Sequence, residues 1–197
     1  MKTITLITNL NILNFEDTLK LSKKLSRIGL DRVQIREKNI PSSILRKFIK
    51  KMKDSTGDSC ELILNGNLDL AIKYNLDGVH FPENYLINKK LDKQDLITGR
   101  SIHKNTILDK HQNYFDYFHL GPVFKTLSHP GEETINEEKI SSISEKLGNI
   151  VLVGGINNNN ARKLLKYKFS GIAVMRELLL SDEPEKTFLE LKEKING

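Results

Sequence analysis

Three polar side chains stand at every second position in the stretch "VQIREK" (33–38). Gln34, Arg36 and Lys38 alternate with β-branched apolar residues, as is typical of a strand. Because a strand points alternate side chains to opposite faces, the amide, the guanidinium and the ammonium group share one face. Buried cations need anionic partners, and Glu83 is the only acidic residue that suggests itself. The stretch therefore favours an anionic ligand, which arginine can bind bidentately, over a structural polar layer or an edge strand facing water.

A second place suited to an anion is the stretch "VGGINNNNARKLL" (153–165). Gly154 and Gly155 stand between an apolar run and a predicted helix that begins at Asn157. Glycine lets a ligand approach the backbone closely, and the first N–H groups of a helix can bind phosphate. The alternative is a tight turn in which an asparagine caps the helix. Phosphate binding is the interpretation that we favour.

Histidine is the side chain best suited to moving a proton near neutral pH. We consider His103, His119 and His129 as candidates for a catalytic base. For the histidines on predicted strands, a hydrogen-bonded structural role is the alternative. No pair of histidines has the helical spacing of a metal site, so we expect no bound metal.

The polar connection "KTLSHPGEET" (125–134) permits two interpretations. It can be a surface loop, or a lid that brings Thr126, Ser128 and His129 over a site. The sequence leaves both open.

Short apolar runs alternate with amphipathic segments along the whole chain. The runs predict eight strands, at 3–9, 32–37, 61–65, 78–81, 96–103, 117–124, 150–156 and 171–175. Segments with helical spacing of apolar residues separate most of them, including 157–167 and a weaker helix at 104–112. Such alternation indicates a parallel sheet, and eight units favour a single (β/α)8 TIM barrel over residues 1–197. An open, doubly wound sheet is the alternative.

A TIM barrel places its functional site at the carboxyl ends of its strands. Asn65 and Ser101 then join the cations of the second strand as candidates for binding a ligand. Phosphate commonly binds to the loops after the last two strands. That rule adds Met175 and Arg176 to the two glycines as predicted phosphate contacts.

Composition narrows the classes of partner. The net charge is +6, but no dense Lys/Arg block and no Trp are present, so we expect a small anion and no nucleic acid. No run approaches the roughly 18 apolar residues of a membrane span, so we expect no membrane partner. Cys60 is the only cysteine and no signal peptide is evident, which predicts a cytoplasmic protein. The sequence does not decide whether the protein forms a homodimer.

Seven short stretches, in this order, resemble the thiamine phosphate synthase/TenI superfamily. They are "VQIREK", "LILNGNLDLA", "DGVHFP", "GRSIH", "LGPVFKT", "VGGI" and "GIAVM", and they extend over nearly the whole chain. The resemblance implies a (β/α)8 barrel of thiamine biosynthesis. In that superfamily the synthase joins a pyrimidine pyrophosphate to a thiazole phosphate with loss of pyrophosphate. TenI-like members bind thiazole phosphate, and some isomerise its carboxylated precursor.

The resemblance also implies roles for single residues. The positions that contact the pyrimidine pyrophosphate in the synthase are matched by Gln34, Arg36, Lys38, Asn65 and Ser101. The positions around the thiazole phosphate are matched by Thr126, Ser128 and Gly155.

Departures from the synthase pattern concern its magnesium site. Gly66 stands where synthases have one magnesium-binding aspartate, and Tyr85 falls at about the second. Magnesium needs hard oxygen ligands, and without it the departing pyrophosphate loses its main charge-stabilising group. "NG" at 65–66 and "GRSIH" instead look like the TenI branch. There too the chain departs, because Pro122 stands where the tautomerase has a histidine base.

We therefore expect a TenI-like protein that isomerises the carboxylated thiazole phosphate without a cofactor. A thiamine phosphate synthase with altered metal ligands is the first alternative, and it alone would use Mg²⁺. A non-catalytic thiazole-phosphate-binding or regulatory protein is the second. In all three the partner is a small phosphorylated ligand.

Overall fold

A computed structural model of the protein describes residues 1–85, 96–108, 110–127, 131 and 133–197. Two predicted site residues, Ser128 and His129, lie outside these ranges, and with them the question whether 125–134 forms a lid. Among the described residues, every helix is too short or too polar to cross a bilayer.

Eight parallel strands close into a barrel. They are β1 (Thr3–Ile7), β2 (Arg32–Ile35), β3 (Glu61–Asn65), β4 (Gly78–Phe81), β5 (Ile97–Ile102), β6 (Tyr117–Leu120), β7 (Ile150–Val153) and β8 (Gly171–Val174). Each strand pairs with the next, and β8 pairs with β1, for example Thr5 with Ala173. The prediction of a TIM barrel is confirmed, and the open sheet is excluded because no strand has a free edge.

Helices surround the barrel. They are α1 (Phe15–Arg27), α2 (Ser42–Thr56), α3 (Leu68–Lys73), α4 (Glu137–Lys146), α5 (Arg176–Leu179) and α6 (Pro184–Asn196), with 3-10 helices at Gly57–Ser59, Lys110–Tyr114 and Ala161–Lys166. Asparagines cap three of them: Asn14, Asn67 and Asn136 each accept a hydrogen bond from the N–H three residues later. Such caps satisfy donors that the first helical turn leaves unpaired.

The main core lies between the strands and the helices. Outward strand residues such as Leu6 and Val33 are fully buried there against the helices, with Phe48 of α2 and Phe188 of α6. A second, smaller apolar cluster inside the barrel consists of Ile7, Tyr117, Val151 and Ala173. Polar side chains occupy much of the remaining interior, and they lead towards the site.

Several predicted boundaries are wrong, and two of them affect the site. Strand β2 ends at Ile35, so Arg36 and Lys38 follow the strand instead of belonging to it. The predicted helix at 157–167 is a 3-10 helix that begins only at Ala161. Asparagine side chains account for the difference, because the Asn157 N–H donates to Asn160 Oδ1 and so is drawn into a local turn.

Candidate active site

A cavity of about 400 Å³ opens at the carboxyl ends of the strands. Twelve of the fourteen predicted site residues line it: Gln34, Arg36, Lys38, Asn65, Ser101, His103, His119, Thr126, Gly154, Gly155, Met175 and Arg176. The sequence-based prediction omitted His80, Glu83, Lys125 and Glu177, which also line the cavity. His80 pairs in register with Asn65, so both side chains face inward, and this register is visible only in the structure.

The end of β2 is held so that its cations face the cavity. Glu37 turns towards β1, where its carboxylate accepts hydrogen bonds from Thr8 Oγ1 at 2.5 Å and from the Leu10 N–H at 2.9 Å. The Arg36 N–H donates to the same Thr8 hydroxyl at 3.1 Å. The carboxylate between the two cations is thereby held by β1, and Arg36 and Lys38 line the cavity.

Neither cation is neutralised within the described part of the chain. No ion pair or side-chain hydrogen bond of Arg36 or Lys38 occurs there. Burial lowers the pKa of Arg36, an effect that the charge of Glu37 partly opposes. The charge of Arg36 in turn lowers the pKa of Lys38, with a smaller contribution from burial. Both directions mean that the surroundings of these side chains disfavour positive charge, an effect that a bound anion would reverse.

A chain of polar contacts runs up the barrel interior to Ser101. The Tyr117 hydroxyl lies 3.1 Å from His80 Nδ1, and His80 Nε2 lies 2.9 Å from Ser101 Oγ. Burial lowers the pKa of His80 to about 3 and raises the pKa of Tyr117, so both groups are neutral. If Tyr117 donates to Nδ1, the His80 hydrogen sits on Nε2 and donates to Ser101. The Ser101 hydroxyl hydrogen is then available to a ligand.

The two remaining described histidines of the site differ from each other. The His103 Nδ1 atom donates to the carbonyl oxygen of Gly121 at 3.0 Å. His119 is buried and its Nε2 has no hydrogen-bond partner. Burial lowers the pKa of His119 well below its ordinary value, and the charge interactions with His80 and Arg32 lower it further. His119 is therefore neutral at physiological pH.

Two glycines shape the wall formed by the loop after β7. Gly155 has a φ of +66°, and a Cβ there would lie 2.4 Å from the carbonyl oxygen of Lys125. Gly154 has a φ of +98°, and its Cβ would lie 2.6 Å from Pro122 Cα. The loop thus packs against the segment after β6 so closely that only glycine fits.

The predicted phosphate site at a helix beginning at Asn157 is wrong in one respect. The Asn157 N–H donates to Asn160 Oδ1 and the Asn158 N–H donates to Glu177 Oε1, both at 2.9 Å. These groups are already satisfied. The N–H groups of Gly155 and Ile156, by contrast, have no protein acceptor in the described chain, so the backbone donors lie one or two residues earlier than expected.

The described residues do not form a magnesium site of the kind found in the synthase pattern. They contain no cluster of three His, Cys, Asp or Glu side chains. The cavity carboxylates are Glu83, which accepts a hydrogen bond from Thr106 Oγ1, and Glu177, which accepts one from the Asn158 N–H. Tyr85 stacks on Phe81 with ring centroids 4.0 Å apart. Each of the two cavity carboxylates thus already accepts a hydrogen bond from the protein.

Comparison with known proteins shows a consistent relationship. The family model described as thiamine monophosphate synthase matches residues 4–178. The thiamine-phosphate synthase of Clostridium tetani is 32% identical over 96% of this chain and 93% of its own length. That of Archaeoglobus fulgidus is 28% identical over 89% and 86%. A thiamine phosphate pyrophosphorylase from Pyrococcus furiosus shares the fold, with a TM-score of 0.84 at 24% identity over 98% of this chain and 95% of that one.

These relatives overturn one expectation and confirm another. The curated relatives are named as synthases, so the prediction of a TenI-like isomerase as the main function is wrong. Positions 66 and 85 lack an Asp, but these two differences do not outweigh the similarity to the synthases along the whole chain. The superfamily itself is confirmed: the chain belongs to the thiamine monophosphate synthase (TMP-TENI) family.

Proposed function

We propose that this protein is a thiamine-phosphate synthase, a transferase that joins a pyrimidine pyrophosphate to a thiazole phosphate and releases pyrophosphate. The observation that carries the proposal is the presence of two separate anion-binding walls in one cavity. Arg36 and Lys38, which make no ion pair within the described chain, form the first. The loop of Gly154 and Gly155 forms the second. A reaction between two phosphorylated substrates requires both.

The pyrophosphate group is assigned to the wall after β2. Arginine binds phosphate bidentately, lysine adds a point charge, and Ser101 supplies a hydroxyl donor that His80 orients. The phosphate of the second substrate is assigned to the N–H groups of Gly155 and Ile156, with Thr126 on the facing segment. Backbone donors suit this second group because it keeps its charge unchanged through the reaction.

The proposed reaction breaks one bond and forms one. The bond between the pyrimidine methylene carbon and the pyrophosphate oxygen breaks, and its electron pair leaves with pyrophosphate. The lone pair of the thiazole nitrogen forms the new carbon–nitrogen bond. No proton has to be removed, so a base is not needed, and the neutral side chains of His80 and His119 are compatible with the reaction. The base role expected for His103, His119 or His129 belonged to the isomerase.

Charge stabilisation is then the main task of the protein's own residues. Negative charge grows on the departing pyrophosphate, and preorganised cations stabilise such charge strongly in a partly buried site. Arg36 and Lys38 are placed for this role. Mg²⁺ commonly supports departure of pyrophosphate, but the described residues contain no cluster of three His, Cys, Asp or Glu side chains that could hold it.

The test is product formation by the purified protein. Both substrates are supplied with Mg²⁺ or with a chelator, and thiamine phosphate is measured chromatographically. We expect thiamine phosphate and pyrophosphate in equal amounts, and a large loss of rate in Arg36→Ala. Arg46→Ala, which removes an exposed arginine of α2, is the matched control and should keep full activity. If no thiamine phosphate is formed under either condition, the proposal is wrong.

A further inference from the structure

Tyr117 lies inside the barrel beneath the cavity and contacts two residues that reach it in turn. The Tyr117 side chain is buried and does not line the cavity, whereas His80 and Ser101 do. The Tyr117 hydroxyl lies 3.1 Å from His80 Nδ1, and His80 Nε2 lies 2.9 Å from Ser101 Oγ. The imidazole therefore connects a buried hydroxyl group with one that faces the cavity.

A glycine makes room for the contact between Tyr117 and His80. Gly99 of β5 stands between the two residues, paired in register with His80 of β4 and with Tyr117 of β6. A Cβ at Gly99 would lie 2.2 Å from Tyr117 Cζ and 2.6 Å from His80 Nδ1. Any side chain at this position would push the phenol and the imidazole apart. The hydrogen bond thus crosses β5 at a position where only glycine fits.

The hydrogen bond between Tyr117 and His80 has a preferred direction. Within the described residues, His80 Nδ1 is the acceptor placed within hydrogen-bond distance of the Tyr117 hydroxyl. Arg32 lies over the Tyr117 ring, 4.5 Å from its centroid, and a guanidinium can only donate. Its positive charge also repels the hydroxyl hydrogen. If His80 donated from Nδ1, the Tyr117 hydrogen would be buried without an acceptor among these residues, which costs free energy.

The direction of this hydrogen bond decides what Ser101 offers to a ligand. Burial lowers the pKa of His80 to about 3, so the ring is neutral and carries one nitrogen-bound hydrogen. When Nδ1 accepts from Tyr117, that hydrogen is on Nε2 and is donated to Ser101 Oγ. The Ser101 hydroxyl then keeps its own hydrogen for the cavity. In the opposite tautomer Ser101 would donate to His80 and present only lone pairs, which do not suit a phosphate oxygen.

We propose that Tyr117 is a positioning residue, which holds His80 in the Nε2–H tautomer so that Ser101 donates a hydrogen bond to the pyrophosphate group of the substrate. The inference rests on the proposed synthase function and deepens it, because it gives a role to a residue that contacts no ligand. Gly99 and Arg32 belong to the same arrangement. Gly99 provides the space, and Arg32 is a neighbour that cannot accept the hydroxyl hydrogen.

The first measurement is the tautomer of His80. Two-bond NMR correlations between the ring nitrogens and the carbon-bound ring hydrogens distinguish the two tautomers in isotope-labelled protein. The signals that disappear in His80→Gln identify this ring. We expect the Nε2–H tautomer in the wild type and a mixture of both tautomers in Tyr117→Phe, which removes only the hydroxyl group. The Nδ1–H tautomer in the wild type would overturn the inference.

The second measurement is a double-mutant cycle on the affinity for inorganic pyrophosphate, determined by calorimetry. We expect Tyr117→Phe and Ser101→Ala each to weaken binding about five-fold. The double variant should bind no more weakly than Ser101→Ala alone, because both changes act through one hydroxyl group. Losses that multiply to about 25-fold would show that Tyr117 acts independently of Ser101, which contradicts the inference. Wild-type affinity in either single variant would contradict it as well.

Tyr74→Phe is the matched control. Tyr74 ends α3 and does not line the cavity, so loss of its hydroxyl should change neither the His80 tautomer nor the affinity. A contradicting tautomer or cycle in a protein that forms thiamine phosphate rejects this inference alone. If the wild type neither binds pyrophosphate nor forms thiamine phosphate, the synthase proposal fails, and this inference fails with it.

Discussion

Two arginines four residues apart, one at each end of β2, have opposite surroundings. Arg32 at the start of β2 donates to Glu61 at 2.5 and 2.8 Å and lies over the Tyr117 ring, 4.5 Å from its centroid. Arg36 lies just after the strand, on the same face as Arg32. Its side chain makes no hydrogen bond or ion pair with the described residues. One cation is satisfied by the fold, whereas the other is left for something that binds.

The different surroundings of the two arginines distinguish the structural end of the barrel from its functional end. At the amino-terminal end, the charge of Arg32 is paired within the protein, so this ion pair can contribute to stability. At the carboxyl-terminal end the fold leaves cations and buried polar atoms unpaired, which costs stability and prepares a site for an anion. Four predictions follow from this contrast, in order of expected effect.

Arg36→Ala should have the largest effect, because it removes the charge-assisted hydrogen bonds to the ligand. We expect affinity for pyrophosphate to fall about 100-fold, or about 2.7 kcal/mol. The unfolding temperature should change little, since the Arg36 side chain makes no hydrogen bond or ion pair with the described residues. Calorimetric titration and thermal unfolding measure the two quantities. The pyrophosphate affinity of Arg36→Lys should lie between those of the wild type and Arg36→Ala, because lysine keeps the charge and loses the bidentate geometry. Equal affinity in all three proteins would contradict the comparison.

Acid should destabilise the protein through the histidines inside the barrel. Burial, with the charges of Arg32 and Arg36, lowers the pKa of His80 to about 3 from its ordinary 6.5. Between these values the unfolded state binds the proton and the folded state does not, so stability falls as the pH falls from 6.5 towards 3. From pH 7 to pH 4.5 we expect His80 to account for a loss of about 2–3 kcal/mol. The shift of His119 acts in the same direction.

Urea unfolding at a series of pH values measures this loss. His80→Gln should flatten the dependence, because glutamine does not titrate. A wild-type stability that is constant from pH 7 to pH 4.5 would show that these histidines bind protons equally in the folded and unfolded states.

Arg32→Met should reverse the pattern seen for Arg36. It leaves Glu61 without its partner and uncovers the Tyr117 ring, so we expect a loss of about 1–2 kcal/mol of stability. The value is modest because Glu61 is 42% exposed. Pyrophosphate affinity should change much less than in Arg36→Ala. A large loss of affinity with unchanged stability would mean that the two arginines do not differ in role.

Lys38→Ala should have the smallest effect. Lys38 is exposed at the mouth and binds phosphate only as a hydrated point charge. We expect about five-fold weaker pyrophosphate binding at low salt, and less at high salt because exposed charges are screened. Titrations at two ionic strengths check both statements. An effect as large as that of Arg36→Ala would place Lys38 deeper in the site than the structure does.

Local sequence patterns were sufficient to predict much of the fold and of the site. Alternation of apolar runs with amphipathic segments was enough to predict the barrel, and the rule for strand ends brought together twelve of the predicted residues, Gln34 and Gly155 among them. The helix predicted from the asparagine run at 157–160 was wrong, because the side chains of Asn157 and Asn160 accept backbone hydrogen bonds and replace the helix with a turn. The predicted TenI branch was wrong because that prediction rested on two substituted positions, Gly66 and Tyr85, and not on similarity along the rest of the chain.

The sequence by itself determined the order of the elements and the face on which Gln34 lies, because both follow from local periodicity; Arg36 and Lys38 follow the strand. Only the tertiary structure decided which of those groups have partners. Glu61 reaches Arg32 because β3 pairs with β2 in that register. The Nε2 atom of His119 and the Oε1 atom of Gln34 face one space because eight strands close. Such pairings depend on register and closure between residues far apart in the chain, and no short stretch of sequence encodes them.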